Sequence, residues 1–262
     1  MNRTSLLVSL FVAAAALAPE ASAHADPPSA ADIVAAADRV RNPQVPFRVD
    51  LALVELVRGA ARDGVHLAVH AKLDAATHQY KNVVRYGAPP RDAGKLVLLN
   101  ASAMWFYDPA SKASIRISAQ QRLTGQASDG DVLTVNLARD YSAKVVGEET
   151  IQDADHQARS VWHLDLSAAT DDAMYRRLEY WIEKDTSHPI KAKFYSDSGR
   201  LLKIAYYRGY VESLGAMRPS ETVIIDAVDS SLITTIGYSG WRAEAVEDAW
   251  FQRESLPRFS VE

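Results

Sequence analysis

The chain has 262 residues, 24% charged and 48% hydrophobic, and its 29 Lys and Arg against 33 Asp and Glu leave a net charge of −4. That length and balance exclude a wholly disordered chain and allow one large core. The mild acidity offers no basic stripe for nucleic acid, and the lack of any cysteine excludes disulfides and thiol nucleophiles.

At the N-terminus Arg3 precedes the apolar run LLVSLFVAAAALA, from Leu6 to Ala18, and ASA (21–23) and AHA (23–25) are both small-x-small cleavage sites. The pattern predicts a secretory signal peptide over residues 1–25, a mature chain starting near His24 or Asp26, and a single domain over 26–262. The rival reading is an uncleaved membrane anchor, for which the run is short against the roughly 20 apolar residues of a span. An exported, cysteine-free chain suits the bacterial periplasm.

SAADIVAAADRVR (29–41) predicts a helix. Ser29 is its cap, Asp32 follows three residues on, Ile33, Val34, Ala37 and Val40 share a face, and Pro43 and Pro46 end it. The period then changes to two. Phe47, Val49, Leu51 and Leu53 alternate with Arg48, Asp50 and Ala52, and Val65, Leu67, Val69, Ala71 and Leu73 alternate with His66, Ala68, His70 and Lys72. Strands of this kind continue through 77–86, 94–100, 103–108 and 113–118, separated by Gly87 with Pro89 and Pro90, by Asn100, and by Asp108 with Pro109. Residues 129–141 break the rhythm: Asp131 caps a short helix that buries Val132, Leu133, Val135 and Leu137. Strands resume over 142–151, 156–167, 175–184, 188–197, 199–211, 220–229 and 231–239, and the tail 247–259 reads as a short helix or an ordered arm.

About a dozen strands in a meander with few helices must curl or close, since a flat open sheet exposes its edges. The fold class is therefore mainly β: a single curved antiparallel sheet, with the helices covering its concave face. Across the 175–184 and 188–197 strands, Glu179 and Glu183 face Lys191 and Lys193 and mark the wet side, with Trp181 half-covered by Lys stems. Leu178, Tyr180, Ile182, Ile190, Ala192 and Phe194 then form the dry side. The hairpin GKLVLLNASAMWFYDPASKASIRIS (94–118) has no polar face, because Met104 and Phe106 lie on one side and Trp105 and Tyr107 on the other. Such a strand is covered twice. One cover is a helix or a long loop; the other is either more of the same chain or a ligand or partner.

Catalytic patterns are missing: no G-x-S-x-G, H-E-x-x-H, P-loop or G-x-G-x-x-G is present. His66 and His70 share an outer strand face beside Lys72 with no third ligand. Asp129-Gly130-Asp131 lacks the oxygen ligands that would extend a calcium loop and reads as a turn with a helix cap. The pairs Asp171-Asp172 and Glu148-Glu149 point to opposite sides of a strand and read as solvated. No cofactor or metal is expected, and an exported, aromatic-rich sheet points to a binding protein rather than an enzyme.

Several stretches carry a resemblance. The hairpin around Trp105, Tyr107 and Pro109, the following RLTGQASDGDVLTVNLARDY, and YRRLEYWIEKDTSHPIKAKFYSDSGRLLKIAYYRGY together resemble, in order and spacing, the LolA-like outer-membrane lipoprotein-sorting proteins of the LolA/LolB carrier superfamily. The resemblance spans most of residues 45–240. It implies a half-barrel of about eleven strands closed by helices over a hydrophobic cavity, periplasmic carriage of acyl chains, and exchange of cargo with an inner-membrane transporter complex. It also implies an arginine that holds the lid, for which Arg85 and Arg116 are candidates. On this reading Trp105, Tyr107, Ile117, Tyr180, Ile182, Phe194, Tyr206 and Ile224 are the expected lipid-binding lining of a monomeric carrier. The alternative is a non-carrier accessory protein, its interior filled by its own side chains, that docks onto an envelope transporter through a free edge or the aromatic hairpin. A hydrolase of envelope lipids is a third reading, disfavoured by the missing nucleophile motifs.

Overall fold

A computed structural model of the chain describes residues 27–62 and 64–260; the expected signal peptide lies outside them. Helix α1 (Ala30–Arg41) begins where expected. Ser29 Oγ accepts from the Asp32 amide at 3.2 Å, and Ile33, Val34 and Ala37 are buried. The first run of strands is β1 (Phe47–Val57), β2 (Ala60–Ala61), β3 (Val65–Leu73), β4 (Tyr80–Ala88), β5 (Leu96–Asn100), β6 (Ala103–Asp108) and β7 (Ala113–Arg116). A small hairpin, β8 (Arg122–Thr124) with β9 (Ala127–Ser128), leads into a 3-10 turn at Asp129–Val132 and helix α2 (Leu137–Asp140). The second run is β10 (Tyr141–Gln152), β11 (Ala158–Ala168), β12 (Arg177–Glu183), β13 (Pro189–Tyr195), β14 (Leu201–Ser213), β15 (Ala216–Asp226) and β16 (Leu232–Ala243), followed by 3-10 turns at Asp248–Phe251 and Arg253–Arg258.

Fourteen of these strands form one antiparallel sheet in the order β10-β11-β12-β13-β14-β15-β16-β1-β3-β4-β5-β6-β7, with the short β2 beside β1. The count exceeds the eleven or so expected. The sheet does not close. The first and last long strands, β1 and β16, pair in its middle, and its free edges are β10 and β7. Residues 117–140, which join those two edges in sequence, therefore run from one rim to the other. We call this segment the strap. Register shifts at Arg48/Asp50, Val145/Gly147, Trp181/Ile182 and Phe194/Tyr195 add local twist.

The main core lies on the concave side, where α1 and the strap bury Val49, Leu51, Leu53, Val97, Leu99 and Met104 of the first strands and Leu166, Leu178 and Tyr180 of the second. The expected single helix over 129–141 is instead two short pieces separated by extended chain, although Val132, Leu133, Val135 and Leu137 are all buried. Asp131 does not cap that helix. It lies inside the 3-10 turn, accepts from the Ser128 amide at 2.7 Å, and turns its carboxylate toward the sheet. The small hairpin is pressed on the sheet at Gly125 (φ +51°), where a Cβ would come within 2.3 Å of Thr234 Oγ1; only glycine fits.

The hairpin with two apolar faces has its second cover from the chain itself. Val83, Leu96, Leu98 and Tyr107 on the outer face pack beneath Val246, Phe251 and Leu256 of the C-terminal arm, with Trp105, Trp250 and Phe259 at the margin. Arg253 stacks over the Trp105 ring at 4.3 Å, and Asn100 Nδ2 donates to the Phe251 carbonyl at 2.9 Å. The same arm corrects the expectation for His70, which is buried between Trp250 and Phe259 and paired with Glu244 rather than exposed beside His66.

Candidate functional site

The concave face is not filled. A cavity of about 120 Å3 lies between the sheet floor and the strap. Its floor comes from alternate residues of neighbouring strands: Val49 and Leu51 (β1), Leu178 and Tyr180 (β12), Ala192 and Phe194 (β13), Ala205 and Tyr207 (β14), Thr222 and Ile224 (β15), and Ile236, Tyr238 and Trp241 (β16). The period of two puts these on one side, except Trp241, which reaches it through the β1–β16 register shift at Gly240 (φ +62°), and the paired Ala192 and Ala205 leave room above them. The roof is Arg41 and Asn42 at the end of α1, residues 130–135 and Leu137 of the strap, and Tyr141, Met174 and Tyr175.

The roof is held by polar contacts as well as by its buried Val132, Leu133, Val135 and Leu137. Asn42 Nδ2 and an Arg41 guanidinium nitrogen both donate to the Val135 carbonyl, at 2.8 and 3.2 Å. Asn82 of β4 exchanges two hydrogen bonds with Thr134, each 2.9 Å, and Gln79 accepts from the Asn136 amide at 2.7 Å. At the other end of the strap Lys203 and Asp131 form an ion pair in which both side chains are under 10% exposed. Ser128 Oγ accepts from Lys203 at 3.2 Å, and the Tyr175 hydroxyl donates to Asp131 at 3.1 Å. Arg218 of β15 holds α1 from below, donating to the Val40 carbonyl at 2.6 Å and to Ser213 at 2.9 Å.

Burial sets the charge states here. Asp129, beside Asp131 in the strap, is pushed up to about 7 by burial and by that neighbouring carboxylate. Burial also raises Asp38, against the opposing pull of Arg41 at 2.8 Å and the Ala138 amide at 2.8 Å. Burial alone would lower the Arg41 guanidinium, but the neighbouring Asp38 carboxylate at 2.8 Å opposes it and the group stays charged.

Of the eight residues expected on the lining, Tyr180, Phe194 and Ile224 are on the cavity wall. Trp105 and Tyr107 are on the opposite side of the sheet, under the C-terminal arm. Tyr206 faces outward with the Lys191 ammonium 5.3 Å from its ring; its neighbour Tyr207 is the one that points inward. Ile182 is buried in the concave core but off the cavity wall, and Ile117 packs at that core's margin just beyond β7. Ile190, expected on the dry inner side, packs with Trp181 on the outside, because the register shift after Trp181 pairs Ile182 with Pro189. Arg85 and Arg116 are both exposed, and the arginines at the roof are Arg41 and Arg218.

Lys203 and Tyr207 were missed, yet a signal existed. In LLKIAYY, Lys203, Ala205 and Tyr207 share one face, and a lone charge on an otherwise dry face asks for a buried partner. Nothing comparable singled out Trp241. Among the described residues, no group of three or more His, Asp or Glu is placed to hold a metal, and no helix is long and apolar enough to cross a membrane.

An open antiparallel half-barrel defines a class of fold, and solved structures share it. A LolA superfamily protein from Nitrosomonas europaea is 29% identical, with a TM-score of 0.77, over 87% of this chain and 99% of its own. A domain assigned to outer membrane lipoprotein sorting from Vibrio parahaemolyticus (16% identical, TM-score 0.72) covers 87% of this chain and 98% of its own. A DUF1329 family protein from Desulfovibrio piger (19% identical, TM-score 0.73) covers 87% and 97%. Residues 78–258 match a family model described as "-like: Uncharacterized protein". No curated protein matches the chain. The chain belongs to the family that the family model describes, and its fold is the LolA-like one.

Proposed function

We propose that this chain is a non-enzymatic carrier that takes acyl chains of a lipoprotein or another lipid into the strapped cavity and hands them between envelope components. The supporting observation is the cavity, apolar over most of its wall and closed by the one segment that joins the two free sheet edges. An acyl chain in water carries a penalty of about 0.8 kcal/mol per CH2, which a protein pocket removes without covalent chemistry. At about 120 Å3 the hollow is of the order of an engineered cavity of about 150 Å3 that holds one benzene. A whole acyl chain therefore enters only when the strap lifts, so the closed form is the unloaded state of a two-state cycle. A signal peptide over 1–25, a single domain over 26–262, residence in the periplasm, a monomeric state and exchange with an inner-membrane transporter complex belong to this reading.

The test is to purify the protein without detergent, extract it with organic solvent and identify co-purified lipid by mass spectrometry, alongside displacement of a fluorescent fatty acid. Bound acyl lipid and saturable displacement are expected. A protein that carries no lipid and ignores the probe contradicts the reading. Substitution at Trp105 belongs to the arm and is no test of the cavity; Ala205, on the cavity floor, is the position to change.

One observation favours the accessory alternative. The edge strand β10 is twelve residues long and exposes Val145 and Val146, a free edge on which a partner strand can pair. The aromatic hairpin is not available for docking, since the arm covers it.

A further inference from the structure

Three polar side-chain atoms around the cavity are buried without a hydrogen-bond partner: Arg41 Nε, Tyr180 Oη and Trp241 Nε1. Only one other buried side-chain atom among the described residues is in that condition, His163 Nε2 on the outer face. A buried orphan polar group is costly and rare, so three on the wall of one hollow require a reason. Tyr180 is 1% exposed, on β12 at one end of the floor. Guanidinium Nε and indole Nε1 have no acceptor capacity. Burial holds the Tyr180 phenol well above its ordinary pKa, so it keeps its proton to give. All three can donate, and what they lack is an acceptor.

We propose that Arg41, Tyr180 and Trp241 supply, along the cavity wall, donors for the oxygen atoms at the head of an acyl chain, so that the cavity selects acyl groups over plain hydrocarbon. This rests on the carrier reading and names the chemistry its ligand must carry. The Arg41 charge is already matched by Asp38 at 2.8 Å, so the acceptor need not be an anion. A carboxylate and an ester or amide carbonyl share the required oxygen. The walls beside the donors are Tyr207, Tyr238 and Ile224, which offer the chain apolar contact.

The discriminating experiment compares ligands of one chain length by displacement of N-phenyl-1-naphthylamine, an apolar dye without a carbonyl. The ligands are laurate, 1-monolauroylglycerol and dodecane. A purely apolar hollow prefers dodecane, because burying an unpaired carbonyl is penalised. The donors reverse that order, and at least one acyl ligand binds more tightly than dodecane. In Tyr180→Phe and Trp241→Phe the acyl-to-dodecane ratio falls about 5- to 10-fold, the worth of one hydrogen bond. Preference for laurate over the ester points to free fatty acid, and the reverse to an esterified lipid or lipoprotein anchor. Tighter binding of dodecane, or a ratio that Tyr180→Phe leaves unmoved, overturns the proposal while sparing the carrier reading; no binding of any ligand overturns both. A second readout is independent of ligand. Unliganded Tyr180→Phe melts at or above the wild-type temperature, since only an orphan hydroxyl is lost. A fall of several degrees would mean that the hydroxyl already has a partner inside the protein, and would also overturn the proposal.

Discussion

On the outer face of the sheet Phe251 and Leu256 of the C-terminal arm are at most 1% exposed, seated among Val83, Leu96, Leu98 and Tyr107. On the inner face the strap sits above Ala192, Ala205 and Tyr180 with a hollow of about 120 Å3 left between, and hydrogen bonds with Asn42, Asn82 and Gln79 hold it. Both covers hide apolar strands. The arm does so by filling the space with large side chains, so lifting it would expose hydrophobic surface with nothing to replace the lost contacts. The strap also buries Val132, Leu133, Val135 and Leu137, but a hollow lies beneath it and its hydrogen bonds run largely to backbone groups that water can satisfy, so lifting it is the less costly motion.

The largest effects are expected where that contrast is sharpest. Phe251→Ala should lose about 3–5 kcal/mol in denaturant unfolding; a loss below about 1 kcal/mol would mean that the arm is loosely held and the contrast false. Asp131→Asn strands the buried Lys203 ammonium and should cost about 3 kcal/mol, whereas Lys203→Met combined with Asp131→Leu should recover most of it. Equal losses in the single and double variants would show that the pair matters for more than mutual neutralisation.

Ala205→Leu fills the hollow from its floor. It should raise stability by about 0.5–2 kcal/mol and cut acyl-probe affinity at least tenfold. Loss of stability would mean that the hollow is smaller than drawn. The last effect concerns pH. Asp129 titrates near 7 in the fold but near 4 when unfolded. The folded state therefore binds the extra proton, and this group's favourable contribution is complete below about pH 4 and lost as pH rises to 7. Asp129→Asn should match wild type in urea midpoint near pH 4 and exceed it at pH 8. Parallel midpoints across that range would place the Asp129 proton elsewhere.

Much of this architecture was legible in the sequence because strands with a wet and a dry face write a period of two. Phe47 to Leu53 and Val65 to Leu73 read correctly on that signal, and Glu179 opposite Lys193 located the outer surface. The site was less legible for particular reasons. Tyr206 and Tyr207 are adjacent and equally apolar, so nothing local says which faces in. Trp105 and Tyr107 are aromatic on an apolar strand whichever cover they meet, and their cover is some 140 residues downstream in the arm. A register shift at Trp181/Ile182 put Ile190 outside, and shifts of that kind depend on pairing that a single strand does not record.

The contrast between strap and arm is tested most directly by native-state hydrogen exchange on the unliganded protein. Amides within 117–140 should exchange through openings at least about 2 kcal/mol below global unfolding, while amides of β5, β6 and the arm should exchange only with the whole molecule. If the strap amides are protected as strongly as those of the arm, the roof does not lift on its own and the carrier account fails.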